Sequence, residues 1–383
     1  MECAATLSMA RHFDTAAAGA FVLIDNIGDD HTFFDLPAND SSDYGWGKGK
    51  ERPVYPCTGQ PQGLFTYKNR STGFASTAAK YASAFALGTT EFAARDPAFA
   101  AVMRRKAHDA YELGRAHPGV CQTAPGRAPY FYEEDNWVDD MELGAAELYA
   151  LTHEPRYLTE AVQYARMEPV TPWMGQDTAS HYEWFPWHNN GHYEIWRVGG
   201  AYEKRLMTDF YRRGVALVAT RAQNGFRIGI PFIWCSNNLL ISFATQARLY
   251  REMSGDSTYA EYEAAAIDWL FGANPWGTSM IVNYPAGGET PTDPHSIISN
   301  QIGYRVMTGG LVDGPVYRSI FQNLAGLRII QGDEFAPFNT GFIVYHDDFG
   351  DYSTNEPIMD GTGNFTYLMS ALSPATTPNS GSR

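Results

Sequence analysis

Basic residues are scarce in this chain of 383 residues: Lys and Arg number 28 against 43 Asp and Glu, a net charge of −15. A surface of that sign repels phosphate backbones and excludes nucleic acid as the main ligand. Charged residues of both signs reach only 19%, while 44% are hydrophobic, which excludes a disordered chain and supports a sizeable core. Long apolar runs are missing too. A membrane helix needs about 18 apolar residues or more, and the longest run, Ala16 to Ile24, falls short. It carries no basic leading region, so it makes a poor export signal. Cysteine is sparse. Cys3, Cys57, Cys121 and Cys235 lie far apart, without the short spacing of a zinc knuckle or redox pair. Buried or free thiols are the favoured reading, and no disulfide pairing follows from the sequence. No Gly-x-Gly-x-x-Gly, phosphate loop or Gly-x-Ser-x-Gly elbow occurs, so nucleotide-cofactor and serine-hydrolase chemistry find no support.

Aromatic residues, by contrast, are abundant: 9 Trp, 23 Tyr and 22 Phe. Rings serve cores first. An acidic, ring-rich chain also suits carbohydrate, because sugar C–H faces stack on rings and hydroxyls bond carboxylates and amides.

Residues 1–70 read as irregular, broken by Pro37, Pro53, Pro56 and Pro61. From Ser71 the pattern turns helical. Ser71 or Thr72 is placed to cap an Ala-rich helix from Phe74 to Arg95, and Pro97 to open the next, which runs to His117. Further helices are predicted over 137–152, 155–168, 203–222, 237–254, 258–271 and 357–371, with weaker patterns over 180–197 and 317–329. The stretches 272–316 and 331–355 read as long loops, and long loops in a compact domain usually carry function. The only strand pattern is 341–345. An all-α frame of helical hairpins follows, with 71–372 as one domain, 1–70 as its irregular N-terminal part and 373–383 as a disordered tail.

The densest chemistry lies between Tyr345 and Pro357, where Asp347, Asp348, Asp351 and Glu356 are interleaved with Tyr345, Phe349 and Tyr352. Carboxylates this close cannot all ionise cheaply, and one surrounded by rings holds its proton towards neutrality. A protonated carboxyl is the acid that glycosidic cleavage requires. Glu356 also precedes a predicted helix whose N-terminal dipole favours the anion, and an acidic loop that caps a helix or holds calcium is the competing reading.

The order Tyr345, Asp347, Tyr352, Glu356 resembles the C-terminal active-site signature of glycoside hydrolase family 9, the cellulases and related enzymes. Asp268-Trp-Leu-Phe-Gly-Ala-Asn-Pro-Trp-Gly-Thr-Ser279 followed by Pro294-His295 resembles a second block of that family, and Gly309-Gly-Leu-Val-Asp-Gly-Pro315 lies between the two as a related segment does there. The resemblance implies an (α/α)6 helical-hairpin barrel, incomplete at its N-terminus, that hydrolyses β-1,4-linked glucan or a related oligosaccharide with inversion. It implies Glu356 as general acid, Asp347 as the supporting carboxylate, Tyr352 lining the cleaved sugar's subsite and His295 bonding a hydroxyl. Trp137, with Tyr132 beside it, and Trp173 are candidate stacking rings. His188 and His192 are four apart, but no Glu follows His188, so a zinc site of the His-Glu-x-x-His kind is not expected. No cofactor is implied, although the acid-rich loops leave room for calcium. Such enzymes usually act outside the cell, so an extracellular or periplasmic place is expected.

The chain departs from the pattern at three places. Ile297 stands where the family often has Arg, and Pro-Ile-Met-Asp-Gly-Thr follows Glu356 in place of Ala-Ile-Asp-Tyr-Asn-Ala. Inversion also needs a base about 6.5–9.5 Å from the acid, and the family's Asp-Ala-Gly-Asp stretch is absent. The expectation is that the sequence starts just inside the catalytic domain, without the base and the helices around it; the nearest echo, Asp40-Ser-Ser-Asp43, offers Asp40 or Asp43 as a substitute base. Three alternatives stay open: a catalytically impaired sugar-binding remnant, a glucosaminide-type hydrolase of the same fold, and a lyase or epimerase on a helical barrel. A lyase wants a cationic partner for its uronate, and no Lys or Arg lies between Arg328 and Arg383.

Overall fold

The computed structural model describes residues 22–24, 47–48, 54–63, 66–122, 134–179, 189–324 and 327–372. Asp40, Asp43, Cys3, Tyr132, His188 and the 373–383 tail lie outside the described residues. Two compact units emerge: Met1–Val218 with Leu249–Asp256, and Ala219–Arg248 with Ser257–Arg383.

The first unit is built from hairpins of helices. α1 (Ala75–Phe92) and α2 (Pro97–Ala116) are joined by four residues, and α3 (Val138–Thr152) and α4 (Pro155–Met167) by two. Links this short force antiparallel neighbours. Pro97 opens α2 as its sequence position predicts, and the Asp96 side chain accepts from the Phe99 amide, a cap worth about 1 kcal/mol. Ser71 and Thr72 do not cap α1. Their hydroxyls accept instead from the amides of Gln122 and Val120, which ties the start of α1 to the chain beyond α2. The core is lined with small residues: Ala75, Ala78, Ala79 and Ala82 of α1 and Ala107 and Ala110 of α2 are buried, with Tyr111, Met141 and Tyr157 filling the gaps. Small side chains at these positions let the helix backbones approach closely, and the large ones interdigitate.

Several sequence expectations are corrected here. Cys57 and Cys121 form a disulfide, because the extended segments on either side of α1 and α2 run together. Strands are not confined to 341–345: Val22–Ile24 pairs antiparallel with Val54–Pro56 inside the stretch read as irregular. The helix expected over 317–329 shrinks to Arg318–Phe321, because Val316–Tyr317 is drawn into a two-residue ladder with Ile343–Val344. Within 180–197 the described helix is Asn190–Val198.

In the second unit the helices are fewer and the loops carry most of the chain. Its longer helices are Ser236–Arg248, the unit's share of the helix Ser236–Ser254, with Ala260–Leu270 and Met359–Leu372, and the long segments 271–296 and 331–357 run without helix. Those segments are ordered by side chains. Asn274 donates to the carbonyls of Trp269 and Thr278 and accepts from the Trp276 amide, and Trp276 donates from its ring to Asn339.

Candidate active site

The segment that ends in Glu356 is held by a backbone ladder to the stretch 311–314. Gly314 donates to Thr354 (3.0 Å), Asp313 to Glu356 (3.0 Å) and Ile358 to Leu311 (2.9 Å), and Val312 bridges Pro357. The start of the helix at Ser236 docks on the same stretch: the Asn237 amide donates to the Asp313 carbonyl (2.9 Å), Asn237 Nδ2 to Val312 (2.8 Å) and Ser236 Oγ to Pro315 (2.7 Å). That approach requires glycine. A Cβ on Gly314, whose φ is +92°, would stand 2.5 Å from Asn237 Cγ. Ser236 and Asn237 therefore grip the acid's supporting strand as well as opening a helix.

The four acids of the loop divide sharply. Asp347 accepts from the Thr292 amide (2.6 Å) and hydroxyl (3.2 Å), the Asp293 amide (3.0 Å) and Asn355 Nδ2 (2.9 Å). Burial raises its pKa above the ordinary value, and those hydrogen bonds oppose the rise. Asp348 accepts from the amides of Ile330, Gln331 and Gly350. Asp351 accepts from Ser353, Thr354 and His346 Nδ1 (2.7 Å). All three brace loops, and with their oxygens so engaged they fit calcium poorly. Among the described residues no group of three or more His, Cys, Asp or Glu is arranged to hold a metal.

Glu356 differs. It is half-buried, and among the described residues no side chain or amide donates to its carboxyl. Burial, helped by the charge of Asp360, pushes its pKa up to about 7. The helix dipole weighed in the sequence acts elsewhere: it is Asp360, in the first helical turn, whose carboxyl is held down by the Gly361 amide and by Asn238 Nδ2 (2.9 Å) against the rise that burial causes.

Rings line the same unit. Tyr352 stacks on Trp234 with centroids 5.9 Å apart at 14°. His295 lies over Phe349 at 5.7 Å and edge-on to Tyr352 at 6.1 Å. Its Nδ1 donates to the Phe349 carbonyl (2.6 Å), the only role a carbonyl leaves it, and burial lowers its pKa, so the ring is neutral. Its amide donates to the Asn355 carbonyl (2.9 Å), next to the acid.

Of the residues singled out in the sequence, Glu356, Asp347, His295 and Tyr352 come together in the second unit. Trp137 and Trp173 belong to the first. Trp137 is partly buried with its edge against Tyr164 at 6.0 Å. Trp173 is wholly buried, so its ring has no face open to a sugar and serves the core. His192 is no metal ligand either: its Nδ1 meets Glu142 Oε1 at 2.5 Å inside the first unit. Sequence reasoning passed over Trp234, Asp313 and Asp360. A lone acid in the apolar run Gly309–Pro315, and an acid one helical turn after Glu356, were the available signals.

A sequence profile of glycosyl hydrolase family 9 matches residues 7–369. Endoglucanase B of Cellulomonas fimi is 24% identical over 311 residues, 77% of this chain and 28% of its own length. Endoglucanase 3 of Oryza sativa subsp. japonica is 25% identical over 270 residues, 61% of this chain and 52% of its own. The chain thus spans about half or less of these relatives. Among solved structures, a mutant thermostable endoglucanase from Alicyclobacillus acidocaldarius superposes with a TM-score of 0.66 at 18% identity, over 96% of this chain and 63% of that one. The catalytic domain of Clostridium thermocellum CelT gives 0.65 at 21% identity, over 96% and 71%. The fold is the all-α helical-hairpin barrel expected from the sequence.

Proposed function

We propose, from the premise that this chain belongs to glycosyl hydrolase family 9, that it hydrolyses β-linked glucan with Glu356 as general acid. The observation that carries this reading is the state of Glu356: a carboxyl without a donor among the described residues, in a ring-rich loop, keeping its proton up to about pH 7. Such a group gives a proton to a glycosidic oxygen at the moment the bond breaks. Tyr352, stacked with Trp234, offers a wall for a sugar face. His295, fixed as a neutral tautomer, positions a hydroxyl. Asp347 acts through the loop it braces, since four donors already occupy its oxygens.

The reaction inverts the anomeric centre, with Asp40 or Asp43 as the base that activates water. The Cys57–Cys121 disulfide fits an oxidising compartment outside the cytosol. Among the described residues no helix is long and apolar enough to cross a membrane.

The test is hydrolysis of a cello-oligosaccharide series followed by proton NMR of the first product anomer, with Glu356→Gln, Asp40→Asn and Asp43→Asn alongside. An α-anomer first, and its loss in Glu356→Gln, supports the reading. Full activity in Glu356→Gln refutes it. Binding of cellotetraose with no turnover by the parent chain would favour the sugar-binding remnant.

A further inference from the structure

Nothing among the described residues donates to the carboxyl of Glu356, so its direction is set by what fixes the chain on either side of it. On the C-terminal side the Asp313 amide holds the Glu356 carbonyl at 3.0 Å. On the N-terminal side stands Asn355, which is wholly buried.

Every polar atom of the Asn355 side chain is engaged. Nδ2 donates to the Asp293 carbonyl (2.9 Å) and to Asp347 Oδ1 (2.9 Å), and Oδ1 accepts from the Tyr345 hydroxyl (3.2 Å). Two acceptors need two N–H groups and the hydroxyl needs an oxygen, a set that a primary amide supplies and a carboxylate does not. Turning the amide over would set its oxygen against both acceptors, so the network fixes its orientation. The Asn355 carbonyl also accepts from the His295 amide (2.9 Å). Asn355 thus holds the chain on both sides of Pro294. Asp347 grips the same stretch through the amides of Thr292 and Asp293, but it is Asn355 that adjoins the acid.

We propose that Asn355 is a positioning residue whose side-chain amide sets Glu356 and His295 in register, so that the proton and the hydroxyl-bonding ring reach the same sugar. The kinetic consequence rests on the hydrolase reading; the register does not. Without the amide, two acceptors lose a donor and the Tyr345 hydroxyl loses its acceptor in the interior. The segments relieve that loss by moving apart or admitting water, and either displaces Glu356. A misplacement of about 1 Å costs about a hundredfold in rate.

Two substrates separate positioning from general damage. The sugar leaving group of cellotetraose needs the proton of Glu356, whereas dinitrophenolate departs without one. Asn355→Ala should lose kcat on cellotetraose about ten- to a hundredfold, and on dinitrophenyl β-cellobioside less than about threefold, with KM little changed. Equal losses on the two substrates, or no loss on either, overturn the proposal. Should Asn355→Ala not fold, Tyr345→Phe removes only the hydroxyl that Asn355 Oδ1 accepts. It should show the same selectivity at about threefold, and equal losses or none again overturn the proposal. A second arm needs no turnover. The carboxyl NMR signal that disappears in Glu356→Gln should titrate about one pH unit lower in Asn355→Ala than in the parent, because water then reaches a proton that burial holds. A midpoint that stays in place overturns the proposal, whatever the chain hydrolyses. Failure of the hydrolase reading shows separately, as full activity of Glu356→Gln on cellotetraose.

Discussion

Both units hold carboxyl groups away from water, and the acids that a donor answers contrast with Glu356. In the first, Asp140 lies 3.0 Å from Lys80 Nζ, Glu142 meets His192 at 2.5 Å, and Glu160 accepts from the Tyr111 hydroxyl at 2.6 Å. In the second, Glu356 has no donor among the described residues and its nearest charged neighbours are acids. A buried acid that is answered by a donor stabilises or specifies a packing arrangement. One that is left unanswered is costly to ionise, and the cost is useful only if the proton has somewhere to go. Burial alone does not mark the candidate catalyst, since Asp347, Asp348 and Asp351 are more buried than Glu356 and are all braces; Glu147 of the first unit is also raised, but there the charge of Arg197 opposes the rise, and no cation does so at Glu356.

The largest effect expected from this contrast is on activity. Glu356→Gln should lower kcat/KM on cello-oligosaccharides about 1,000-fold while the urea midpoint stays level or rises, because no partner is orphaned. A fall in stability without a fall in turnover would break the comparison. The converse substitution is His192→Ala. It strands Glu142 in the interior, where burial already raises its pKa against the pull of His192, and should destabilise the fold by about 3–5 kcal/mol in urea unfolding. A loss under about 1 kcal/mol would show that the pair is not what holds the acid there.

How far the sequence reached follows the same division. The helices were legible because short links, Pro97 and Pro155, and Ala-rich faces are local signals. Glu356, Asp347, His295 and Tyr352 were legible because their spacing along the chain matches a known signature. Asp313, Asp360 and Trp234 were not, because their meaning comes from a ladder and a docked helix start that join residues roughly 45 to 120 positions apart. The disulfide was missed for the same reason: Cys57 and Cys121 are 64 residues apart and meet only once α1 and α2 have folded back. Trp173 erred the other way, since a ring beside other rings reads as a platform until packing closes over it.

The stability profile sharpens the contrast by its sign. Burial, aided by the charge of Glu194, pushes Glu147 up to about 8 in the first unit, and Glu356 stands at about 7 in the second. Both values exceed those of the unfolded chain, so the folded state binds more protons. That share of stability is complete below about pH 4.5 and is lost as pH rises through 7 to 8. Melting temperatures should therefore fall between pH 5 and pH 8, and Glu356→Gln should flatten the part of the fall below about pH 7. A parent chain whose melting point rises over that interval would mean that the answered acids outweigh the unanswered ones.

The smallest effect concerns the ring wall. Tyr352 and Trp234 stack almost parallel, so each shields one face of the other, and a sugar has the outer face of one ring to use. Removing Tyr352 also takes the edge contact from His295. A stacked ring contributes about 0.5–1.5 kcal/mol beyond its buried area. Tyr352→Ala should therefore raise KM on cellotetraose by roughly three- to tenfold, with the alkaline limb of the pH profile unmoved, because the proton on Glu356 is held by burial and by Asp360 rather than by the ring. Tyr352→Phe keeps the stack and should keep KM. If Tyr352→Ala instead shifts the alkaline limb, the ring is part of what buries the acid, and the division between a binding wall and a proton-holding pocket fails at that residue.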